Sequence, residues 1–95
     1  MPVLLVARLE NVTDPDGLLA DARLAFAALA TRPGWIGGRL GRAVDDPDCW
    51  VLTAEWTDVG SGRRGLTAGL IRAAVMPLTS RFADEPCTFE IIDRA

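Results

Sequence analysis

The run from Cys49 to Trp56, Cys-Trp-Val-Leu-Thr-Ala-Glu-Trp, limits the fold of this chain more than any other stretch. Side chains alternate along a strand, so one face carries Trp50, Leu52, Ala54 and Trp56 and the other carries Cys49, Val51, Thr53 and Glu55. Alternation does not tell which set meets the helices. Both faces are largely apolar, and a chain of 95 residues has too few helices to bury both of them. We therefore expect a second copy of the chain to cover one face.

Composition indicates one small globular domain over residues 1–95, with 49% hydrophobic and 24% charged residues. The net charge is −3, and ten scattered arginines without any lysine form no basic stripe, so nucleic acid is not an expected partner. The apolar run near the N-terminus lacks a basic leader and is too short for a signal peptide core or a membrane span. We therefore expect a cytoplasmic protein with no membrane contact.

The first half of the chain has the pattern of a strand, a helix and a second strand. Residues 2–10 alternate as a strand, and Asp14 followed by Pro15 is typical of a helix start. The helix has an apolar stripe of Leu18, Ala22, Ala25, Phe26 and Leu29, and Pro33-Gly34 ends it. Residues 35–44 form the next strand, whose three glycines predict a bulge or a close backbone approach.

The second half repeats the order of strand, helix and strand. The turn 45–48 joins two apolar runs as a hairpin. Asp58 caps a second helix, which we expect to end at Met76-Pro77 and to be broken or mobile in its glycine-bearing first half. Residues 87–92 form the last strand. This β-α-β-β-α-β order predicts a ferredoxin-like α+β fold with an antiparallel sheet and both helices on one face.

The uncovered sheet face predicts self-association. An exposed apolar sheet is an association site, and the simplest closed arrangement is a two-fold homodimer in which two sheets face each other as a barrel. In this topology Cys49 and Cys87 open strands that flank a third, about 9 to 10 Å apart, which is too far for a disulfide. We expect two free, mostly buried thiols and, with no histidine in the chain, no metal site.

Several stretches together resemble the antibiotic biosynthesis monooxygenase family of dimeric α/β barrels. They are 33–40 (PGWIGGRL), 45–48 (DDPD) leading into 50–52 (WVL), 55–58 (EWTD), 76–78 (MPL) and 89–91 (FEI). The resemblance spans nearly the whole chain. Members of this family include cofactor-independent oxygenases of polycyclic phenols, haem-degrading enzymes and quinol oxygenases, and the resemblance implies an activity of one of these kinds.

The resemblance also implies site residues. Trp56 occupies the position of a tryptophan that lines a pocket between sheet and helices in the oxygenases, and Leu52 stands where an asparagine is common. The chain has no histidine to serve as the proximal haem ligand, so haem degradation of the known kind is excluded. Quinone formation without a cofactor remains, because there the substrate itself supplies the electrons.

The candidate residues each have a structural alternative. Trp56 would orient an aromatic substrate or simply fill the core, and Arg72 and Arg81 would stabilise an oxyanion or lie solvated on the surface. Leu52, Leu66 and Leu70 are the expected apolar contacts to a substrate. Other candidates have a stronger structural alternative: Glu55 and Glu90 as bases or ion-pair partners, and Trp35 and Trp50 as packing or interface residues.

Two functions remain open at this point. The first is a cofactor-free monooxygenase acting on an aromatic polyketide-like or quinol substrate, with Trp56 and Arg72 as catalytic residues. The second is a non-catalytic dimer that binds a small ligand or is purely structural and keeps the fold without the polar pocket residues. A sizeable cavity between helices and sheet favours the first function, and a filled interface favours the second.

Overall fold

The computed structural model describes all 95 residues apart from the side chain of Leu70. The elements are β1 (Val3–Leu9), α1 (Pro15–Leu29), β2 (Trp35–Arg42), β3 (Trp50–Trp56), α2 (Val59–Thr67), α3 (Gly69–Thr79) and β4 (Cys87–Glu90). The strands form one antiparallel sheet in the order β2-β3-β1-β4. The predicted ferredoxin-like α+β fold is confirmed.

The core lies between the helices and one face of the sheet. The sequence did not tell which face of β3 meets the helices. In the structure it is the face with Leu52, Ala54 and Trp56, which are buried. In β1 the buried residues are Val3, Leu5, Ala7 and Leu9, which pair with that same row of β3. The two central strands therefore supply the sheet half of the core.

Helix α1 begins as the sequence predicts. The Asp14 carboxylate accepts a hydrogen bond from the backbone N–H of Gly17 at 3.0 Å, and Pro15 opens the first turn. An N-cap aspartate satisfies a backbone donor that has no partner within the helix. Leu18 and Leu29, near the two ends of the helix, are both buried against the sheet and α3.

The second helix departs from the prediction in two ways. It is broken, as one alternative proposed, because Ala68 has extended backbone (φ −62°, ψ 120°) between α2 and α3. Pro77 does not end it, and this prediction was wrong: α3 runs through Pro77 to Thr79. Val75 and Leu78 are buried on either side of the proline, so packing of α3 outweighs the backbone hydrogen bond that proline removes.

Glycines in β2 serve a bulge and a close contact. The pairing of β2 with β3 shifts register between Trp35 and Gly37, which confirms the predicted bulge. A Cβ at Gly38 would lie 2.5 Å from the Phe26 ring of α1. Since real Cβ atoms are not found so close to another heavy atom, glycine at 38 lets an aromatic ring of α1 rest on the strand.

The opposite face of the sheet is open in the single subunit. Leu4, Val6, Val51, Cys87 and Phe89 lie on it, as the strand register shows. Both cysteines are free, as expected, but Cys87 is exposed, so the prediction that both thiols are buried was wrong for the subunit. The reason is its position on β4, opposite Val6 and away from the helices.

Among the described residues, every helix is too short or too polar to cross a lipid bilayer.

Candidate functional site

A cavity of about 690 Å³ lies between the sheet and the helices. Leu5, Leu52 and Ala54 form its floor on the strands, and Phe26 and Leu29 of α1 form one wall. The other wall comes from the end of α2, from α3 and from the segment that follows it, with Leu66, Thr67, Arg72, Val75, Met76, Leu78, Thr79, Phe82, Ala83, Asp84, Glu85 and Pro86. Its volume falls in the range of small-molecule sites, about 300 to 1,000 Å³.

The polar groups of this cavity lie at its rim. Arg72 of α3 is exposed, and so are Asp84 and Glu85 of the segment before β4. The floor residues Leu5, Leu52 and Ala54 are buried and apolar. The arrangement therefore offers a dry floor to a ring system and presents one cation and two anions to its polar edge.

Trp56 is the largest side chain in the core and is 1% exposed. Its ring meets Trp35 edge-on, with centroids 5.1 Å apart and planes at 80°, a favourable aromatic geometry. The indole Nε1–H is buried and finds no hydrogen-bond acceptor in the described part of the protein. A buried donor without an acceptor destabilises the fold by about 1 to 3 kcal/mol. The unpaired N–H of Trp56 therefore lowers the stability of the folded protein.

Helix α2 approaches the Trp56 ring through two glycines. A Cβ at Gly65 would lie 2.3 Å from Cη2 of the indole, and a Cβ at Gly62 would lie 3.2 Å from Cδ1. Gly62 and Gly65 are three residues apart and so share one face of the helix. The sequence analysis predicted from these glycines that the helix would be weak; in the structure they make room for the tryptophan.

A second cavity of about 80 Å³ adjoins the Trp56 ring. Leu5 and Leu66 line both this small cavity and the large one. The remaining lining residues of the small cavity are Val3, Val59, Gly62, Arg63 and Thr88. The two spaces are therefore neighbours, separated by aliphatic side chains.

The start of α2 is held by a compact polar cluster. Ser61 donates its backbone N–H to Asp58 Oδ1 at 2.7 Å and its hydroxyl to Oδ2 at 3.1 Å. The backbone hydrogen bond from Ser61 is the main cause that lowers the pKa of Asp58, and the Ser61 and Thr57 hydroxyls and the charge of Arg64 act in the same direction against partial desolvation. The cap thus positions the helix that covers Trp56.

The predicted site residues do not all line the same cavity. Leu52, Leu66 and Arg72 line the large cavity, whereas Trp56 lines the small one. The side chain of Leu70 lies outside the described part of the chain. Arg81 lines neither cavity; its Nε donates to Asp21 Oδ2 of α1 at 2.8 Å.

The sequence analysis did not predict all residues that form the wall of the large cavity. Phe26 was placed only in the core stripe of its helix, and the segment 82–86 was treated as a connection. The one available signal was the presence of Phe82 beside the charged pair Asp84 and Glu85 in a connecting segment, since loops carry much of the function of a fold.

Comparison with known proteins gives structural relatives. No family model and no curated protein matches the sequence. Among solved structures, SnoaB, a cofactor-independent oxygenase from Streptomyces nogalater, superposes with a TM-score of 0.84 at 24% identity, over 98% of this chain and 95% of that one. A structure of a mutant of the same protein gives a TM-score of 0.83 at 26% identity, over 98% and 95% of the two chains.

A third relative is more distant in sequence. A candidate antibiotic biosynthesis monooxygenase from Nitrosomonas europaea has a TM-score of 0.77 at 12% identity, over 96% of this chain and 90% of that one. Together these likenesses establish a shared fold over nearly the entire chain.

Proposed function

We propose that this chain, which shares its fold with structures named as antibiotic biosynthesis monooxygenases, is a cofactor-independent monooxygenase acting on an aromatic polyketide-like or quinol substrate. The observation that carries the proposal is the apolar cavity of about 690 Å³ between sheet and helices. The likeness to SnoaB, which is named a cofactor-independent oxygenase, supports the same kind of chemistry.

In the proposed reaction the substrate supplies the electrons. A phenol reacts with dioxygen to give a quinone and water: one oxygen atom becomes the new carbonyl and the other leaves as water. The buried floor of Leu5, Leu52 and Ala54 would exclude water from the ring. Arg72 at the rim would stabilise the substrate oxyanion by charge-assisted hydrogen bonds.

Trp56 takes part in this proposal through its indole N–H. In the structure the ring lies beyond Leu5 and Leu66, which line both cavities. Leu66 is only half-buried, so we expect a rotamer change there to open the N–H to the large cavity. The donor would then orient a substrate oxygen, and its missing acceptor would be supplied by the ligand.

The test is oxygen consumption with a dihydroxynaphthalene-type compound, followed together with the appearance of quinone absorbance. We expect turnover in the unaltered protein and at least about a tenfold loss in Arg72→Gln, the order of a lost charged hydrogen bond. Arg23→Gln is the matched control, since Arg23 is an exposed arginine of α1 that lines neither cavity. Absence of turnover across a panel of such phenols and quinols would contradict the proposal.

A second candidate function is ligand binding without catalysis. It is favoured by Leu52, which puts a buried apolar side chain where the family resemblance implies an amide. Saturable binding of naphthol-type compounds, seen by quenching of tryptophan fluorescence without any oxygen uptake, would select this function over the first.

We also propose that the protein is a homodimer through its open sheet face. Support comes from the exposed Phe89 and Val51 on that face. Sedimentation should give about twice the mass of the 10.2 kDa chain. Phe89→Arg should yield a monomer, because it would place a charge in the interface, whereas Val44→Arg at an exposed hairpin position should leave the dimer intact.

A further inference from the structure

We propose that the small cavity beside Trp56 is a binding site for a neutral diatomic gas. Its identification as dioxygen rests on the proposed oxygenase function; the existence of a gas site does not. The site would hold dioxygen beside a substrate bound in the large cavity.

The size and walls of the cavity fit such a guest. Its volume is about 80 Å³, whereas an engineered apolar cavity of about 150 Å³ takes benzene or xenon. Four of its lining side chains are aliphatic: Val3, Leu5, Val59 and Leu66. A molecule of two heavy atoms with little need for hydrogen bonds matches this space better than a ring does.

The polar groups of the cavity argue against water as the occupant. A buried water makes about two to four hydrogen bonds. Among the described lining residues, the buried polar side-chain group is the Trp56 Nε1–H, since Arg63 and Thr88 are exposed. The buried part of the wall thus offers a water at most one hydrogen bond, fewer than a buried water needs.

The position of that donor gives the site a chemical use. Gly62 lines the cavity and lies against the pyrrole edge of the indole, near Cδ1 and Nε1. When the substrate anion is oxidised by one electron, dioxygen is reduced by that electron to superoxide. Because the oxidised substrate oxygen no longer carries the negative charge, the N–H would then shift its hydrogen bond from that oxygen to the superoxide and stabilise the charge there.

The neighbouring cavities provide a short route between the two reactants. Leu5 and Leu66 are shared by both linings, so a gas molecule beside Trp56 is separated from the large cavity only by aliphatic side chains. Gas diffusion past them needs only a rotamer change, and Leu66, which is half-buried, is the residue expected to make it. The fold therefore places the two reactants in adjacent compartments.

The experiment is a crystal structure of the protein pressurised with xenon, which is a heavy and apolar probe of gas sites. We expect an anomalous peak beside Trp56 in the unaltered protein. Gly62→Ala should abolish or strongly reduce the peak, because the added methyl enters the cavity wall 3.2 Å from Trp56 Cδ1. Gly69→Ala is the matched control, since a Cβ there meets no atom within 4 Å, and it should keep the peak.

The outcome that overturns the proposal is an ordered water hydrogen-bonded to Nε1, or a xenon peak absent from this cavity in the unaltered protein. These results do not depend on Gly62→Ala folding or on turnover. Turnover without xenon binding would leave the proposed function standing and remove this site. Xenon binding without turnover would leave the gas site standing and contradict the proposed function. With both present, Gly62→Ala should raise KM for dioxygen several-fold while KM for the phenol stays unchanged; an unchanged KM for dioxygen would reject dioxygen as the guest.

Discussion

Helix α1 covers the sheet with side chains, whereas α2 covers it with bare backbone that receives a side chain from the sheet. In α1, Leu18, Ala22, Ala25 and Leu29 are buried. In α2 the buried residues are Ser61, Gly62 and Gly65, and the bulk at that point is the indole of Trp56.

The difference teaches that one core can be filled from either layer. Where the helix brings the volume, its sequence shows a stripe of apolar residues. Where the strand brings the volume, the buried residues of the helix are small, as Ser61, Gly62 and Gly65 are in α2. The predictions below test this division of roles between the two helices.

The largest effect should follow loss of a side chain from α1. Leu18→Ala should lower the free energy of unfolding by about 3 to 5 kcal/mol, because Leu18 is 0% exposed and the truncation leaves a void. Urea unfolding at one fixed protein concentration measures it. Leu24→Ala on the same helix is the control: Leu24 is 63% exposed, and its change should stay within about 0.5 kcal/mol.

Adding a side chain to α2, where α1 lost one, should also destabilise the protein. Gly65→Ala should destabilise the protein by about 1 to 2 kcal/mol, since overpacking against Trp56 outweighs the helix propensity gained by alanine. Tryptophan fluorescence should shift as the indole is displaced. Gly69→Ala, which meets no atom within 4 Å, should be neutral or slightly stabilising. A Gly65→Ala protein more stable than the original would refute the close approach of α2.

A smaller effect is expected where α1 is linked to the residues after α3. Arg81 and Asp21 form an ion pair at 2.8 Å with both side chains partly exposed. Such pairs contribute about 0 to 1 kcal/mol, so Arg81→Gln should lower the thermal midpoint only slightly. Turnover should be unchanged, because Arg81 lines neither cavity; a large loss of activity would place Arg81 back among the site residues.

The smallest effect should be confined to acid pH. The folded-state pKa of Asp58 lies below its ordinary value of 3.8, chiefly because the Ser61 backbone N–H binds the carboxylate. Its contribution to stability is therefore full above about pH 4 and is lost as the pH falls through the folded pKa. Thermal unfolding of Asp58→Asn should lose less stability than the original between pH 4 and pH 2. An identical pH dependence in both proteins would contradict the cap.

Local signals explain what the sequence predicted well. The start of α1 follows from Asp14 and Pro15, which act on their own turn. The two-faced apolar pattern of β3 follows from alternation, which depends on the strand alone. The expectation that the strands beginning near Cys49 and Cys87 flank a third strand also holds, since β1 lies between β3 and β4 and short connections leave few topologies.

Non-local contacts explain what it did not predict. Gly65 is needed only because Trp56 lies beneath it, and nothing within the helix sequence states this. Pro77 stays in α3 because Leu78 packs beyond it. Arg81 pairs with Asp21 of α1, which lies 60 residues earlier in the chain. Each outcome depends on packing or pairing with another element of the fold, which a local pattern does not encode.

The break at Ala68 leaves α2 with nine residues and α3 with eleven. Isolated helices shorter than about 12 to 15 residues are marginal in water, so α2 persists only while it rests on the indole. Detachment of α2 and hydration of that ring are then a single event. Amide protons of 59–67 should accordingly exchange with deuterium as one group, at a rate that reports how often the tryptophan meets solvent.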